Sequence, residues 1–259
     1  QGSNADIQRE RDLESELVYK KYIQDQDRVF NIAYPILTAN QSFCGNHTSP
    51  HYGMTAWNIY TVGPNYRRAA QNIYNLQERV ATQYIADGSP ADRAGIRSGD
   101  FIVAVNGQQI PPGKDGIRIA DQALDRAGYD TSAIVLERDG RRINTRLTPA
   151  RGCDYPVVLD YNSSEINAFA DGRRIVISKG IVRFAEDDNE LALVIAHELG
   201  HNTLDHVGKQ QQNAMVGSLG GLAIDSILTA AGVSTGSQFS RMGGQLGAQQ
   251  YSVAFEQEA

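Results

Sequence analysis

Cysteine is almost missing from this chain of 259 residues: Cys44 and Cys153 are the only two, 109 residues apart. That scarcity excludes a disulfide-dense scaffold, and the wide spacing excludes a zinc ribbon or a Cys-x-x-Cys redox motif. The pair forms either one disulfide or two separate buried thiols. A bridge would close a long loop, which chain entropy values at roughly 4 to 5 kcal/mol. Blocks of one charge sign are absent as well. The formal net charge of -6 is spread along the chain, and no basic patch interleaved with aromatics occurs, so nucleic-acid binding is not expected. Uninterrupted apolar runs of membrane-spanning length are also missing. The nearest, Ala214 to Val233, carries Asp225 at its middle and is rich in glycine. It reads as a buried or lid helix, leaving membrane contact open but arguing against spanning.

What remains is an ordinary globular composition, 41% hydrophobic and 21% charged, long enough for one large or two modest domains. Residues 1–5, Gln-Gly-Ser-Asn-Ala, read as a cleavage and cloning remnant and are set aside. Any leader or lipid anchor would have been removed with the native start. From Asp12 to Leu37, Leu13, Leu17, Tyr19, Ile23, Val29, Ile32, Ala33 and Ile36 recur near helical spacing, predicting an amphipathic helix that ends or bends near Pro35.

Between Gly45 and Pro149 the texture turns to short β-like runs broken by glycine turns. Phe101 to Val105 leads into Asn106-Gly107, and Ala133 to Arg138 is joined through Asp139-Gly140 to Arg141–Leu147, two hairpin signatures. A short helix is expected over 119–126. The stretch from Gly88-Ser89-Pro90 through Ala94-Gly95-Ile96 to Gly99-Asp100, continued by Phe101 to Gly107, resembles a bacterial PDZ domain. The resemblance implies a groove for a peptide terminus, framed by the short helix and a carboxylate-binding loop. Tyr52-Gly53-Met54 matches the apolar-Gly-apolar pattern of that loop. Such a groove adds the peptide as a strand at a sheet edge. The other reading is a domain that only braces the fold.

After Cys153, Ile166 to Ala170, the turn Asp171-Gly172 and Arg174 to Ser178 predict a β-hairpin. A helix should follow from about Asn189, capped by Asp187 with Glu190 three residues on, its apolar stripe formed by Leu191, Val194, Ile195 and Leu199. On it lies His197-Glu198-Leu199-Gly200-His201. Four residues separate the histidines, so both imidazoles leave one face and can share an ion, with Glu198 on the adjoining flank. Neutral nitrogens for Zn²⁺ and a carboxylate near its water but off the metal are what metal-assisted hydrolysis requires. A third ligand is needed. Leu204 and Val207 stand where the metzincin arrangement needs Gly and His, and His206 points about 140° away from His201. The downstream carboxylates are Asp205, Asp225, Glu256 and Glu258. Asp205 drifts off the His197 side, and Asp225 is alone in an apolar stretch.

Asn167-Ala168-Phe169-Ala170, Ile175 to Ile181, Glu190-Leu191-Ala192, His197 to His206 and Glu256 to Ala259 together resemble the HtpX-like and BepA-like zinc metallopeptidases, which include the CAAX prenyl proteases. The resemblance implies an α+β, zincin-type (gluzincin) peptidase domain built on the HExxH helix and interrupted by the small PDZ domain. It maps the third ligand of one zinc per chain onto Glu256, with His197 and His201 as the others and Glu198 as catalytic base. The Asp of the family's Glu-x-x-x-Asp motif would be residue 260, and Val253 stands where many relatives have Arg. The expected layout is 6–44 as a helical part of the peptidase domain, 45–150 as the PDZ-like domain and 151–259 as a catalytic domain truncated at its C-terminus. Asn167, Ala168 and Phe169 are the expected substrate strand. The function implied is endopeptidase action on unfolded or envelope proteins in the periplasm or another extracytoplasmic space, with membrane anchoring through a removed segment. The alternative is a protease-chaperone or peptide-binding module with a latched or inactive metal site, against which the intact Glu198 speaks.

Overall fold

The protein is described here by a computed structural model that covers residues 4–208, with side chains through Thr203. Contacts divide the chain into two units: Gln1–Tyr34 with Thr48–Gly152, and Pro35–His47 with Cys153–Ala259. The division falls inside the first helix, α1 (Asn4–Ala39). The N-terminal helix thus contributes to both units. The reason is local: Tyr19 and Ile23 of α1 are buried in a cluster with Trp57, Ile59, Ala70, Leu76 and Tyr84. The helix also starts earlier than its apolar spacing suggests and runs through Pro35. A proline removes one backbone hydrogen bond, which a helix with buried flanking residues such as Tyr34, Ile36 and Leu37 can tolerate.

In the first unit, β1 (Thr48–His51) precedes β2 (Met54–Trp57), α2 (Arg67–Tyr74), β3 (Ala81–Ile85), the one-turn α3 (Pro90–Arg93), β4 (Phe101–Val105), β5 (Gln108–Gln109), α4 (Gly116–Asp125), β6 (Ser132–Arg138), β7 (Arg141–Leu147) and β8 (Ala150–Cys153). An antiparallel sheet runs in the order β2-β3-β4-β6-β7, with β5 also paired to β4, while β1 and β8 make a separate ribbon. Asn106 and Gly107, like Asp139 and Gly140, take positive φ, the backbone that tight hairpin turns demand. Under one face of the sheet Val80, Ile96, Ile102, Val105, Ile134, Leu136 and Leu147 form the core with Ala123 of α4.

In the second unit, β9 (Val157–Asp160), β10 (Ala168–Ala170) and β11 (Ile175–Ser178) form a sheet ordered β10-β11-β9, followed by α5 (Lys179–Phe184) and α6 (Asp188–Gly208). β11 pairs antiparallel with β10 and parallel with β9. The Asp187 carboxylate caps α6, accepting the amides of Asn189 (2.8 Å) and Glu190 (3.0 Å). Leu191, Ile195 and Leu199 are fully buried, and α6 packs against β10 and β11. The boundary crosses β8 before its last residue, so Cys44 and Cys153 both belong to this unit, where they are joined in a disulfide. Among the described residues no helix is long and apolar enough to cross a membrane.

Candidate metal centre and peptide groove

Helical arithmetic explains where the three chemical side chains of α6 go. His197 and His201 differ by about 40° in azimuth and share a face. Their Nε2 atoms are 3.0 Å apart, with ring centroids at 4.6 Å and planes nearly perpendicular. Two nitrogens on one tetrahedral zinc, each at about 2.0 to 2.1 Å, would stand about 3.3 Å apart, so the observed convergence fits that ion. Both rings keep exposed surface. Protein atoms nevertheless crowd His197, and this desolvation, with His201 beside it, lowers its pKa to about 4. That keeps the imidazole neutral, as a metal ligand must be.

Glu198 stands seven residues after Leu191, two turns along the same stripe, and is carried into the interior. Only 4% of its surface is exposed. Burial pushes its carboxyl up to about 7, against the opposing effect of a hydrogen bond from the backbone of Ala170. Its Oε2 has no partner among the described residues. A buried carboxylate oxygen left unpaired is costly, and it suits a group whose partner arrives with a metal-bound water.

Ala170 belongs to β10, the edge strand of its sheet. The Ser178 amide donates to Asn167 O (3.0 Å), and the Asp171 amide to Arg174 O (3.2 Å). Backbone groups alternate along an antiparallel strand, so those of Ala168 and Ala170 turn away from β11. Asn167 is engaged in both directions, since its amide also donates to Ser178 Oγ (3.1 Å). Ala168 is buried toward the core, and Phe169 is exposed on the opposite face.

One residue of this site escapes sequence reasoning. Asn202, 1% exposed, follows His201 directly; its Oδ1 accepts the Gly172 amide (2.8 Å) and its Nδ2 donates to Arg174 O (3.2 Å). It thereby fixes the β10–β11 turn to the helix that carries the histidines. The available signal was its place seven residues after Ile195, a polar amide on the apolar face that must find buried partners. Among the described residues no group of three metal-ligating side chains occurs. Glu256 and the segment Ala214 to Val233 lie outside the described residues, as do the side chains of Asp205 and His206.

In the first unit, Tyr52-Gly53-Met54 leads into β2, the outermost strand of its sheet. Its carbonyls turn inward: Tyr52 O accepts the Ala91 amide (3.0 Å), and Gly53 O accepts the Ala86 amide (2.8 Å) and Ser89 Oγ (3.3 Å). Gly53 has φ of 72°, and a Cβ there would collide with Ser89, so the turn requires glycine. The Tyr52 hydroxyl donates toward the carbonyls of Leu124 and Gly128, each at 3.4 Å, at the end of α4. The Tyr52 side chain thus ties this loop to the C-terminal end of α4.

Comparison with known proteins matches a peptidase family and a PDZ domain to different parts of the chain. The sequence model of Peptidase family M48 matches residues 135–259, starting within β6, and that of the PDZ domain matches residues 83–125. The chain is similar to the Beta-barrel assembly-enhancing protease of Escherichia coli O157:H7, 33% identical over 102 residues, which cover 38% of this chain and 20% of that protein. A Staphylococcus aureus (strain MRSA252) protein, provisionally named a zinc metalloprotease, is 35% identical over 69 residues, covering 27% of this chain and 15% of its own. Among solved structures, the HtrA3 PDZ domain bound to a phage-derived ligand matches 40% of this chain and 88% of that domain, at 21% identity and a TM-score of 0.30. The match thus spans about a fifth or less of the length of these curated relatives.

Proposed function

Because this chain joins a family M48 peptidase domain to a PDZ domain, we propose that it is a zinc-dependent endopeptidase acting on unfolded or envelope proteins outside the cytoplasm. The observation that carries this reading is the convergence of His197 and His201 nitrogens beside a buried, half-satisfied Glu198. His197 and His201 would hold the ion, with Glu256 completing the set by family resemblance. When bound, zinc supplies Lewis acidity toward a water and a substrate carbonyl. Glu198 takes the proton released as that water attacks, and delivers it to the leaving amine. Its raised pKa suits both tasks, since a group titrating near neutrality can accept and return a proton.

The substrate runs extended along the outer edge of β10, where backbone groups of Ala168 and the carbonyl of Ala170 pair with it, the Ala170 amide being given to Glu198. Asn167 anchors the strand through Ser178, and Phe169 offers an apolar surface. Asn202 keeps this strand in register with the histidines. The PDZ domain recruits or regulates, taking a peptide terminus at Tyr52-Gly53-Met54. The Cys44–Cys153 disulfide supports an oxidising, extracytoplasmic location such as the periplasm.

The test is hydrolysis of an unfolded protein, measured with zinc content, for the natural protein and for Glu198→Gln. One zinc per chain is expected in both, with turnover lost by about 10² to 10⁴-fold in the variant, the contribution of a general acid–base. Undiminished cleavage by Glu198→Gln overturns the mechanism, and absence of zinc from the natural protein overturns the cofactor.

A further inference from the structure

The sheet of the first unit has a second face, and part of that face is hollow. Side chains of a strand alternate, so Met54 and Ala56 of β2 pack on the core that includes Ala123 of α4, while Trp57 turns to the other side, among Leu76, Tyr74 and Phe101. Beside Trp57 a cavity of about 500 Å³ opens between the end of α2, the loop before β4 and the β6–β7 turn. Small-molecule sites span about 300 to 1,000 Å³ and are mostly apolar with a few placed polar groups. Trp57, Tyr74, Leu76 and Phe101 supply the apolar lining, the Trp57 and Tyr74 rings meeting edge to face at 5.3 Å.

Two donors in this lining are unused. Trp57 is 6% exposed, and its Nε1 is buried with no hydrogen-bond partner among the described residues. A ligand acceptor that reaches it relieves a standing penalty. Arg97 has a pinned backbone, its amide donating to Asp100 Oδ2 (2.8 Å) and its carbonyl accepting Thr82 Oγ1 (2.6 Å). Its guanidinium is exposed at the rim and has no partner among the described residues. The neighbouring charges are engaged. Arg138 binds Asp100 through Nε (2.6 Å) and Nη2 (2.7 Å), and Glu137 accepts Arg79 Nη1 (2.8 Å), whose guanidinium lies over the Phe101 ring at 4.1 Å. Asp139, on the β6–β7 turn, is the remaining negative charge of the lining, and it acts on Arg138.

We propose that this cavity binds a small carboxylate with an aromatic body, the ring against Trp57, Tyr74 and Phe101 and the carboxylate held by Arg97 and the Trp57 indole N–H. The apolar lining supplies grip, and the charge-assisted donors select an anion. Neither the metal centre nor the loop at Tyr52-Gly53-Met54 contributes a residue, so the proposal is independent of the peptidase reading. A ligand of about ten non-hydrogen atoms, such as phenylacetate, reaches a Kd of about 1 mM at ordinary efficiency per atom.

Trp57 is the chain's single tryptophan and so reports on the cavity directly. The whole chain is titrated with phenylacetate, with its uncharged analogue phenylacetamide and with acetate, following tryptophan emission and melting temperature. Phenylacetate should change the emission saturably and raise the melting temperature, phenylacetamide should bind about tenfold more weakly, and acetate should do neither over the same range. Arg97→Gln should bring the acid and the amide within about twofold, whereas Arg97→Lys should keep most of the preference, and added salt should narrow it. Since Arg97 is exposed, both variants should keep the parent's melting temperature without ligand. Equal binding of acid and amide to the parent overturns the proposal, as does an unchanged preference in Arg97→Gln or an equal response to acetate. An emission and a melting temperature both unmoved by about 10 mM phenylacetate remove the cavity as a site altogether.

Discussion

Among the described residues three carboxylates are buried, Asp25 and Asp100 in the first unit and Glu198 in the second, and the last two are treated in opposite ways. Asp100, in the PDZ unit, is 1% exposed and accepts Arg138 Nε (2.6 Å), Arg138 Nη2 (2.7 Å) and the Arg97 amide (2.8 Å). Glu198, in the peptidase unit, is 4% exposed, with a single backbone donor and one oxygen unpaired. A carboxylate supplied with a fork of donors ties loop to strand. One denied them is held near neutrality, ready to exchange a proton. Between Asp100 and Glu198 burial does not differ; the number of donors does.

The contrast predicts opposite signs for two isosteric substitutions. Asp100→Asn leaves the partly buried guanidinium of Arg138 without its countercharge and should destabilise the PDZ unit by about 3 kcal/mol in urea titration. A loss below about 1 kcal/mol would make that pair no better than a surface bridge.

The disulfide provides a second comparison between the units, of slightly smaller size. Its cysteines are 109 residues apart, but the intervening chain includes β1 and β8, paired into a ribbon close to both. With that ribbon formed and the Asp154 amide bonded to His47 O (2.8 Å), the loop left to close is about 6 residues, so replacing both cysteines by serine should cost about 2 kcal/mol rather than about 5. The larger figure in chemical denaturation would mean that the two units unfold together.

Glu198→Gln should do the reverse of Asp100→Asn and stabilise the metal-free protein. With a folded pKa of about 7 against 4.5 unfolded, the carboxyl loses protons later when folded. Stability is therefore fullest below pH 4.5 and declines as pH rises toward 7. The variant lacks this loss, so at pH 8 it should be the more stable by about 2 kcal/mol, with the gap closing near pH 4.5. Thermal melts across that range in chelator measure it, and a gap independent of pH would break the contrast with Asp100.

Much of the candidate site was legible because its spacing is local. The i, i+4 histidines, the Asp187 cap and the stripe of Leu191, Ile195 and Leu199 all follow from helical periodicity, and the Asn-Gly and Asp-Gly hairpins follow from backbone sterics. Less legible was the start of the chain, where α1 continues through Pro35 because buried neighbours outweigh one lost hydrogen bond. Strand β10 was legible as a segment but not in its alternation. Asn167, expected to meet substrate, turns its backbone to Ser178, and Ala168 and Ala170 are left facing outward.

The sequence by itself determined that two imidazoles share a face beside a glutamate, and that a glycine-turned sheet interrupts the chain, because both depend on neighbours a few residues apart. Only the tertiary structure decided that Ala170, 28 positions before Glu198, lends it one amide, that Asn202 fastens the turn at Gly172, and that Asp100 receives three donors. Those pairings depend on which elements pack together, and packing follows the burial of whole faces rather than the order of residues along the chain.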